Sequence, residues 1–103
     1  MAYGIAVTVT QPVEVYDALH AEVAQRTGSS IEGLVFHLGR RAAEGFQVIE
    51  VWDSKDAYDR YTNEIVLPIV VEMSGGVPPD ADGQVVEEFE VRGLVVPRGD
   101  ILV

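Results

Sequence analysis

The residue types that could do chemistry in this sequence lie in two neighbouring strand-like runs. His37 is in the first run, and Glu50 and Trp52 are in the second, two residues apart and therefore on the same side of a strand. A partly buried histidine beside a carboxylate can act as a general acid or base, and an indole beside them would suit a flat substrate. The pattern predicts catalytic roles for His37 and Glu50 and a substrate-binding role for Trp52.

The short link between the two runs decides which of these side chains meet. The link reads AAEG, and a short link that contains glycine is typical of a β-hairpin. With the turn at 43–44, His37 lies directly opposite Glu50, whereas with the turn at 44–45 it lies opposite Trp52. Both registers place the three side chains on one face of the hairpin.

Three further aromatic residues belong to the predicted substrate-binding set. Tyr58 and Tyr61 recur at helical spacing after Trp52 and could orient a phenol or a carbonyl group, and Phe36 precedes the histidine. A structural interpretation fits the same residues. Tyrosines on an amphipathic helix commonly form part of the core, as does a tryptophan at a strand end, and a histidine facing a glutamate can form a structural hydrogen bond only.

Metal and cofactor chemistry is not indicated. The chain has no cysteine, and its two histidines, His20 and His37, lack a ligand spacing such as HxxxH. We therefore expect no metal ion and no cofactor. His20 is expected on the surface of the first helix, whose apolar face we predict from Val15, Ala18, Leu19 and Val23.

The composition bounds the class of protein. The chain has 103 residues, 48% of them hydrophobic and 23% charged, which predicts one globular domain over 1–103. With 17 acidic against 7 basic residues the net charge is -10, so nucleic acid and anionic membranes are unfavourable partners. The start lacks the basic and apolar pattern of a signal peptide, and we expect a cytoplasmic location.

The order of the predicted elements is strand, helix, strand, strand, helix, strand. Strands are predicted at 3–10, 33–41, 46–53 and 85–96, one helix from about Pro12 to Arg26, and a second from about Lys55 that Pro68 should kink. This order predicts an α+β protein with the ferredoxin-like βαββαβ fold, a four-stranded antiparallel sheet with two helices on one face. Apolar residues on both faces of the strands predict that the uncovered face packs on a second copy.

Several stretches resemble a known superfamily when they are taken with this layout. They are EGLVFH at 32–37, the turn ending in Gly45-Phe46, VIEVWDS at 48–54 and the helical pair Leu67-Pro68. They resemble the dimeric α+β barrel superfamily, and within it small actinobacterial proteins of the antibiotic biosynthesis monooxygenase type. The resemblance covers nearly the whole chain and implies a homodimer in which two sheets join into one barrel.

The activities of that superfamily are diverse. They include cofactor-independent oxygenation of polycyclic phenols, haem degradation, and isomerase and cyclase reactions of secondary metabolism. Trp52 matches a tryptophan of some oxygenase members, but the asparagine that accompanies it there, four residues earlier, is Val48 here. The haem-degrading members resemble this chain in fold only, because their haem-ligating histidine has no match.

Three functions are compatible with the sequence. The first is an enzyme of secondary metabolism on an aromatic or polyketide-like substrate: a cofactor-independent monooxygenase-like oxidoreductase, or a cyclase or isomerase using His37 and Glu50. It requires an apolar pocket that contains these two residues, Trp52 and at least one of Tyr58 and Tyr61. The second is a non-catalytic ligand-binding dimer. The third is a structural or interaction domain with a filled interior.

Overall fold

The computed structural model describes residues 2–28, 30–76 and 83–97. Their elements are strand β1 (Tyr3–Val9), helix α1 (Val13–Thr27), strands β2 (Leu34–Ala42) and β3 (Gly45–Trp52), helix α2 (Lys55–Tyr61), a π-helical segment (Thr62–Val66), helix α3 (Leu67–Met73) and strand β4 (Gln84–Glu90). The strands form one antiparallel sheet in the order β2-β3-β1-β4. This arrangement confirms the predicted ferredoxin-like fold.

The boundaries of α1 follow from residues with special backbone properties. Pro12 precedes the helix with φ of -56°, and proline at a helix start costs no hydrogen bond because the first N–H groups have no helical partner. Gly28 ends the helix in the left-handed conformation, with φ of 62°, and its N–H donates to the Ala24 carbonyl at 2.9 Å. Only glycine adopts this conformation without strain, so the sequence specifies the end of the helix.

The second helical stretch shows how the chain accommodates Pro68. Ser54 caps α2, as its Oγ accepts a hydrogen bond from the Ala57 N–H at 3.2 Å. Before α3 the Leu67 N–H donates to the Thr62 carbonyl, five residues back, which is the π-helical pattern. Pro68 has no N–H to offer, and the irregularity that we predicted there takes the form of this wider turn.

The hairpin between β2 and β3 adopts one of the two predicted registers. Ala42 pairs with Gly45, so the turn occupies 43–44 and His37 lies opposite Glu50. A register shift between Leu34 and Phe36 marks a bulge near the start of β2. The site is therefore built on a tight, local connection whose geometry does not depend on distant parts of the chain.

The helices cover one face of the sheet. On that face Ile5, Trp52 and Ala57 form a buried cluster, and the half-buried residues that pack against it are Tyr3, Val7, Ile31, Leu34, Tyr58 and Tyr61. Trp52 is 0% exposed. At 25 cal/mol per Å², burying an aromatic side chain of this size contributes several kcal/mol, so this cluster is a main source of stability.

The opposite face of the sheet presents apolar side chains to solvent. Val85 on β4 is 70% exposed, and Leu38 and Phe89 are also exposed. Alternation along the strands places all three on the face away from the helices, since their cross-strand partners are Thr8, Ile49 and Gly4. An apolar sheet face of this kind is typical of a surface that is covered by another element or another chain.

Two predicted details are wrong. The face of α1 that packs on the sheet carries Tyr16 and His20 together with the buried Val23, whereas Val15 and Ala18 are exposed. The final strand ends at Glu90 rather than at 96. Glu90 pairs with Tyr3, the first residue of β1, so beyond it the neighbouring strand offers no further backbone groups to pair with.

Candidate active site

The centre of the candidate site is the carboxylate of Glu50. This residue is only 5% exposed, and it lies on β3 on the face that the helices cover. Its Oε2 is 2.7 Å from Nδ1 of His37, and its Oε1 accepts a hydrogen bond from Nε1 of Trp52 at 3.1 Å. A carboxylate is stable in such a position only when hydrogen bonds replace its lost hydration, and both oxygens have a partner here.

The carboxylate fixes the state of His37. Because an ionised Glu50 can only accept, the neutral imidazole must carry its proton on Nδ1, which leaves Nε2 as an acceptor. That Nε2 lies 2.7 Å from the hydroxyl of Tyr16, which then donates to it. The histidine is thus held between a carboxylate and a phenol, with its side chain 23% exposed. This arrangement is suited to moving a proton.

Tyr16 reaches the histidine across β2 because of Gly39. A Cβ added at Gly39 would lie 2.7 Å from Cε1 of Tyr16 and would overlap the end of its ring. The absence of a side chain at this position therefore gives the phenol its space. The Tyr16 ring is also nearly parallel to that of His37, with centroids 6.0 Å apart and an interplanar angle of 11°, and its centroid is 5.6 Å from that of Phe46.

A second histidine joins the cluster. The ring of His20 is stacked on that of His37, with centroids 5.5 Å apart and an interplanar angle of 12°. Its Nδ1 is 3.4 Å from the Tyr16 hydroxyl, a long contact in which the nitrogen is the donor if the phenol gives its own proton to His37. The prediction of a surface histidine at position 20 is wrong.

The environment keeps the Tyr16 phenol protonated. Burial raises its pKa from the ordinary value, and the nearby charges of Glu50 and Asp17 raise it further, because a phenolate would be poorly solvated and repelled. Burial likewise raises the pKa of Tyr61, with the charge of Glu50 again adding to the effect. At neutral pH these phenols are therefore hydrogen-bond donors and not standing anions.

The predicted aromatic wall is present and closely packed. The ring centroids of Trp52 and Tyr61 are 4.9 Å apart, and those of Trp52 and Tyr58 are 5.9 Å apart at an interplanar angle of 70°. With Trp52 fully buried, a ligand would reach its indole only if one of the tyrosine rings moved. Phe36 is not part of this group, since it pairs with Val51 and lies on the other face of the sheet.

Two surface pockets lie near the helices. One of about 150 Å³ is bounded by residues of the 31–32 loop and the second helical stretch, which are Ile31, Glu32, Ala57, Arg60, Tyr61, Glu64 and Ile65. The other, of about 200 Å³, is bounded by Glu22, Arg26, Glu72 and Met73. Neither is lined by His37, Glu50 or Trp52, so neither is the apolar pocket that we predicted around these three residues. In the larger pocket, Arg26 forms ion pairs with Glu22 and Glu72, which also line it.

The structure thus brings together most of the residues that the sequence singled out. His37, Glu50 and Trp52 form one hydrogen-bonded group, and Tyr58 and Tyr61 pack on the indole. Sequence reasoning missed Tyr16 and His20. Their spacing of four residues places them one turn apart on a helix, and with Val23 they form a face at helical periodicity that could have been recognised.

Across residues 2–28, 30–76 and 83–97, no group of three or more histidine, cysteine, aspartate or glutamate side chains is arranged to hold a metal ion. Within the same ranges, every helix is too short or too polar to span a bilayer.

Comparison with solved structures confirms the resemblance at the level of fold. A structure of an antibiotic biosynthesis monooxygenase superposes with a TM-score of 0.60 at 15% identity, covering 90% of this chain and 100% of the other. SnoaB from Streptomyces nogalater, a cofactor-independent oxygenase solved as its N63A mutant, gives 0.55 at 18%, covering 91% and 94%.

A dimeric ferredoxin-like protein of unknown function from Jannaschia sp. CCS1 gives a TM-score of 0.62 at 14% identity, covering 88% of this chain and 100% of the other. No protein-family model and no curated protein matches the sequence. At these identities the likeness shows a shared fold, and the chemistry must be argued from this chain's own residues.

Proposed function

We propose that this chain is a small-molecule enzyme of secondary metabolism that acts on an aromatic or polyketide-like substrate without a cofactor. The observation that carries the proposal is the contact of 2.7 Å between His37 Nδ1 and the buried Glu50 carboxylate. A histidine held in this way can take a proton at Nε2, and the carboxylate stabilises the imidazolium that results. Trp52, Tyr58 and Tyr61 supply the aromatic surroundings.

The proposed reaction begins with removal of a proton from a phenol or an acidic C–H group. His37 receives the proton, and the electron pair stays on the substrate as a phenolate or carbanion. In the monooxygenase-like reaction, this electron-rich ring is attacked by O₂, one oxygen atom becomes a carbonyl group, and the other leaves as water. The fold shared with SnoaB supports this class of reaction as the first to test.

Two alternatives have support from particular residues. Val48 stands where the oxygenase members that this chain resembles have asparagine, which favours a cyclase or isomerase that uses His37 and Glu50 without oxygen. The close packing of Tyr58 and Tyr61 on the fully buried Trp52 favours a structural or interaction domain with a filled interior.

The proposal includes a homodimer in the cytoplasm. The exposed apolar side chains of Leu38, Val85 and Phe89 on the open sheet face support burial against a second copy. The dimeric state given for the Jannaschia protein, which shares the fold, is consistent with it.

The test is conversion of a panel of polycyclic phenols and enolisable polyketide mimics, under air and under nitrogen. His37→Asn and Glu50→Gln should each lower turnover by about 100-fold or more. Glu88→Gln is the matched control, because Glu88 is exposed and its carboxylate accepts a hydrogen bond from the Tyr3 hydroxyl, outside the site.

Each outcome separates the candidate functions. Turnover under air alone supports an oxygenase, and turnover under both gases supports a cyclase or isomerase. Binding without conversion supports the ligand-binding protein. Turnover that survives both site substitutions contradicts the assignment of His37 and Glu50, and absence of both binding and turnover contradicts a small-molecule function.

A further inference from the structure

The acid–base pair proposed above has no free acceptor. Glu50 occupies one side of the His37 imidazole, and the Tyr16 hydroxyl lies 2.7 Å from the other nitrogen. An imidazole Nε2 has a single lone pair, and the Tyr16 proton engages it. A ligand can therefore reach His37 only by displacing Tyr16 or by exchanging its proton through Tyr16.

Building on the proposed function, we propose that Tyr16 is a further catalytic residue, which contacts the acidic hydroxyl of a phenolic or enolic ligand and passes its proton to His37, and that His20 is a positioning residue for Tyr16. The hydrogen-bond inventory of a phenol supports this role. A tyrosine hydroxyl has one donor and two acceptor positions. The donor points to His37 and one acceptor faces Nδ1 of His20. No other side chain of the described residues occupies the second acceptor, which we assign to a ligand O–H.

The proton balance is simple. The ligand O–H bond breaks, and its proton joins the Tyr16 oxygen while the electron pair stays on the ligand oxygen. In the same movement the original Tyr16 proton joins Nε2 of His37, giving an imidazolium whose Nδ1–H still donates to Glu50. Tyr16 is neutral before and after the transfer. Two short contacts of 2.7 Å, one on each side of His37, provide the path.

The surroundings of Tyr16 keep its hydroxyl neutral, so it can pass a proton on without persisting as a phenolate. Burial raises the pKa of its hydroxyl, so the resting side chain keeps the proton that it donates to His37. The side chain is also held in place, because its ring is stacked on His20, its hydroxyl is bonded to His37, and it lies against Gly39. A fixed, neutral phenol beside a base can exchange a proton without reorganisation of its neighbours.

The ligand class follows from the groups that surround this hydroxyl. Four flat rings form this group, and the centroids of neighbouring rings are at most 6.0 Å apart. They belong to Tyr16, His20, His37 and Phe46. The group contains no lysine or arginine side chain that would select a carboxylate or a phosphate. The chemistry of these groups therefore favours a planar, uncharged molecule with an acidic hydroxyl.

The first experiment measures the contact itself by calorimetric titration of the whole protein. 2-Naphthol is compared with 2-methoxynaphthalene, which has the same ring but cannot donate. We expect wild type to prefer the naphthol by about tenfold, the value of one hydrogen bond, and Tyr16→Phe to abolish the preference. Tyr3→Phe is the control, since it removes a phenol hydroxyl bonded to Glu88 outside this cluster.

The second experiment measures proton transfer with whichever phenol the protein converts. Tyr16→Phe should lower kcat by about 100-fold with a smaller change in KM, whereas Tyr3→Phe should leave both unchanged. For His20, Asn and Leu are compared. The asparagine amide can replace the Nδ1–H donor, so His20→Asn should keep most of kcat while His20→Leu loses about tenfold.

The outcomes separate this inference from the proposed function. If wild type converts phenols and Tyr16→Phe does so equally well, the role of Tyr16 is overturned and the proposed function stands. If the naphthol preference is present and depends on Tyr16 but no phenol is converted, the contact stands and the enzymatic function fails. Equal binding of the two probes by wild type, or binding of neither, overturns the Tyr16 contact. Equal activity of the two His20 variants overturns its positioning role.

Discussion

The Glu50 carboxylate and the His37 imidazole meet across adjacent strands, at 2.7 Å, on the face of the sheet that the helices cover. The two-residue turn at 43–44 sets this register, and the indole of Trp52 holds the second carboxylate oxygen. The hydrogen bonds of the cluster thus lead to this carboxylate: Trp52 and His37 donate to it directly, and Tyr16 donates to His37. Its charge orients His37, and through His37 it orients Tyr16.

Glu50→Gln should reverse the direction of this hydrogen-bond chain. The Trp52 N–H can only donate, so it requires the amide oxygen, and the amide NH₂ must then face His37. The neutral histidine should respond by moving its proton from Nδ1 to Nε2. Imidazole ¹⁵N NMR checks this, with Glu88→Gln as the control. An Nδ1–H tautomer that persists in Glu50→Gln would contradict the assigned network.

Glu50→Leu should destabilise the protein more than Glu50→Gln does. Leucine accepts no hydrogen bond, so the Trp52 N–H in the buried core and the His37 N–H both lose their partner. Each buried donor left without a partner costs about 1–3 kcal/mol. Urea unfolding of the two variants measures the difference. Equal midpoints and slopes would show that solvent already reaches these groups.

Gly39→Ala should disconnect Tyr16 from His37 with only a modest loss of stability. The added methyl group meets the end of the Tyr16 ring and not rigid backbone, so it displaces the phenol from its place beside His37. We expect a cost below about 2 kcal/mol and a fall in turnover similar to that of Tyr16→Phe. Gly93→Ala is the control, because no atom of residues 2–28, 30–76 and 83–97 lies within 4 Å of the position of its added Cβ.

The tyrosines should resist ionisation until the protein unfolds in alkali. The chain has 4 tyrosines, and burial is the first cause that raises the pKa of Tyr3, Tyr16, Tyr58 and Tyr61 alike. The pKa of a tyrosine in an unfolded chain is about 10, so the folded state, in which these pKa values are higher, binds the phenol protons more tightly. The stability they contribute is fully present below that pH and is lost as pH rises through the higher folded values.

Phenolate absorbance against pH checks this expectation, with the urea-unfolded chain as the reference. The native curve should lie at higher pH than the unfolded curve, and its rise should coincide with loss of the circular dichroism of the folded chain. Two or more phenols that titrate near pH 10 while the fold is intact would contradict the assigned burial.

The open sheet face should make the protein a dimer in solution. Light scattering is expected to give about twice the chain mass of 11.2 kDa at micromolar concentration. Leu38→Glu should give a single-chain mass, because a carboxylate buried in an apolar interface costs several kcal/mol. Val15→Glu is the control, since Val15 is equally apolar but exposed on α1. Single-chain mass for wild type would remove the dimer from the proposal.

The sequence alone determined the order of the elements and their sheet topology. It also restricted the partner of His37 across the hairpin to Glu50 or Trp52. These features depend on local information: strand periodicity, a glycine that ends α1, a serine that caps α2 and a short hairpin link. Such signals act within a few residues along the chain, so they can be recognised without knowing what packs where.

Only the tertiary structure decided which face of α1 meets the sheet. Tyr16 and His37 are 21 residues apart, and their contact depends on how the helix is rotated about its own axis. Several rotations would bury some apolar residues of α1. The space above Gly39 and the partners on β2 and β3 select the one that places Tyr16 and His20 in the site. Packing between distant segments decides which of the faces allowed by helical periodicity meets the sheet.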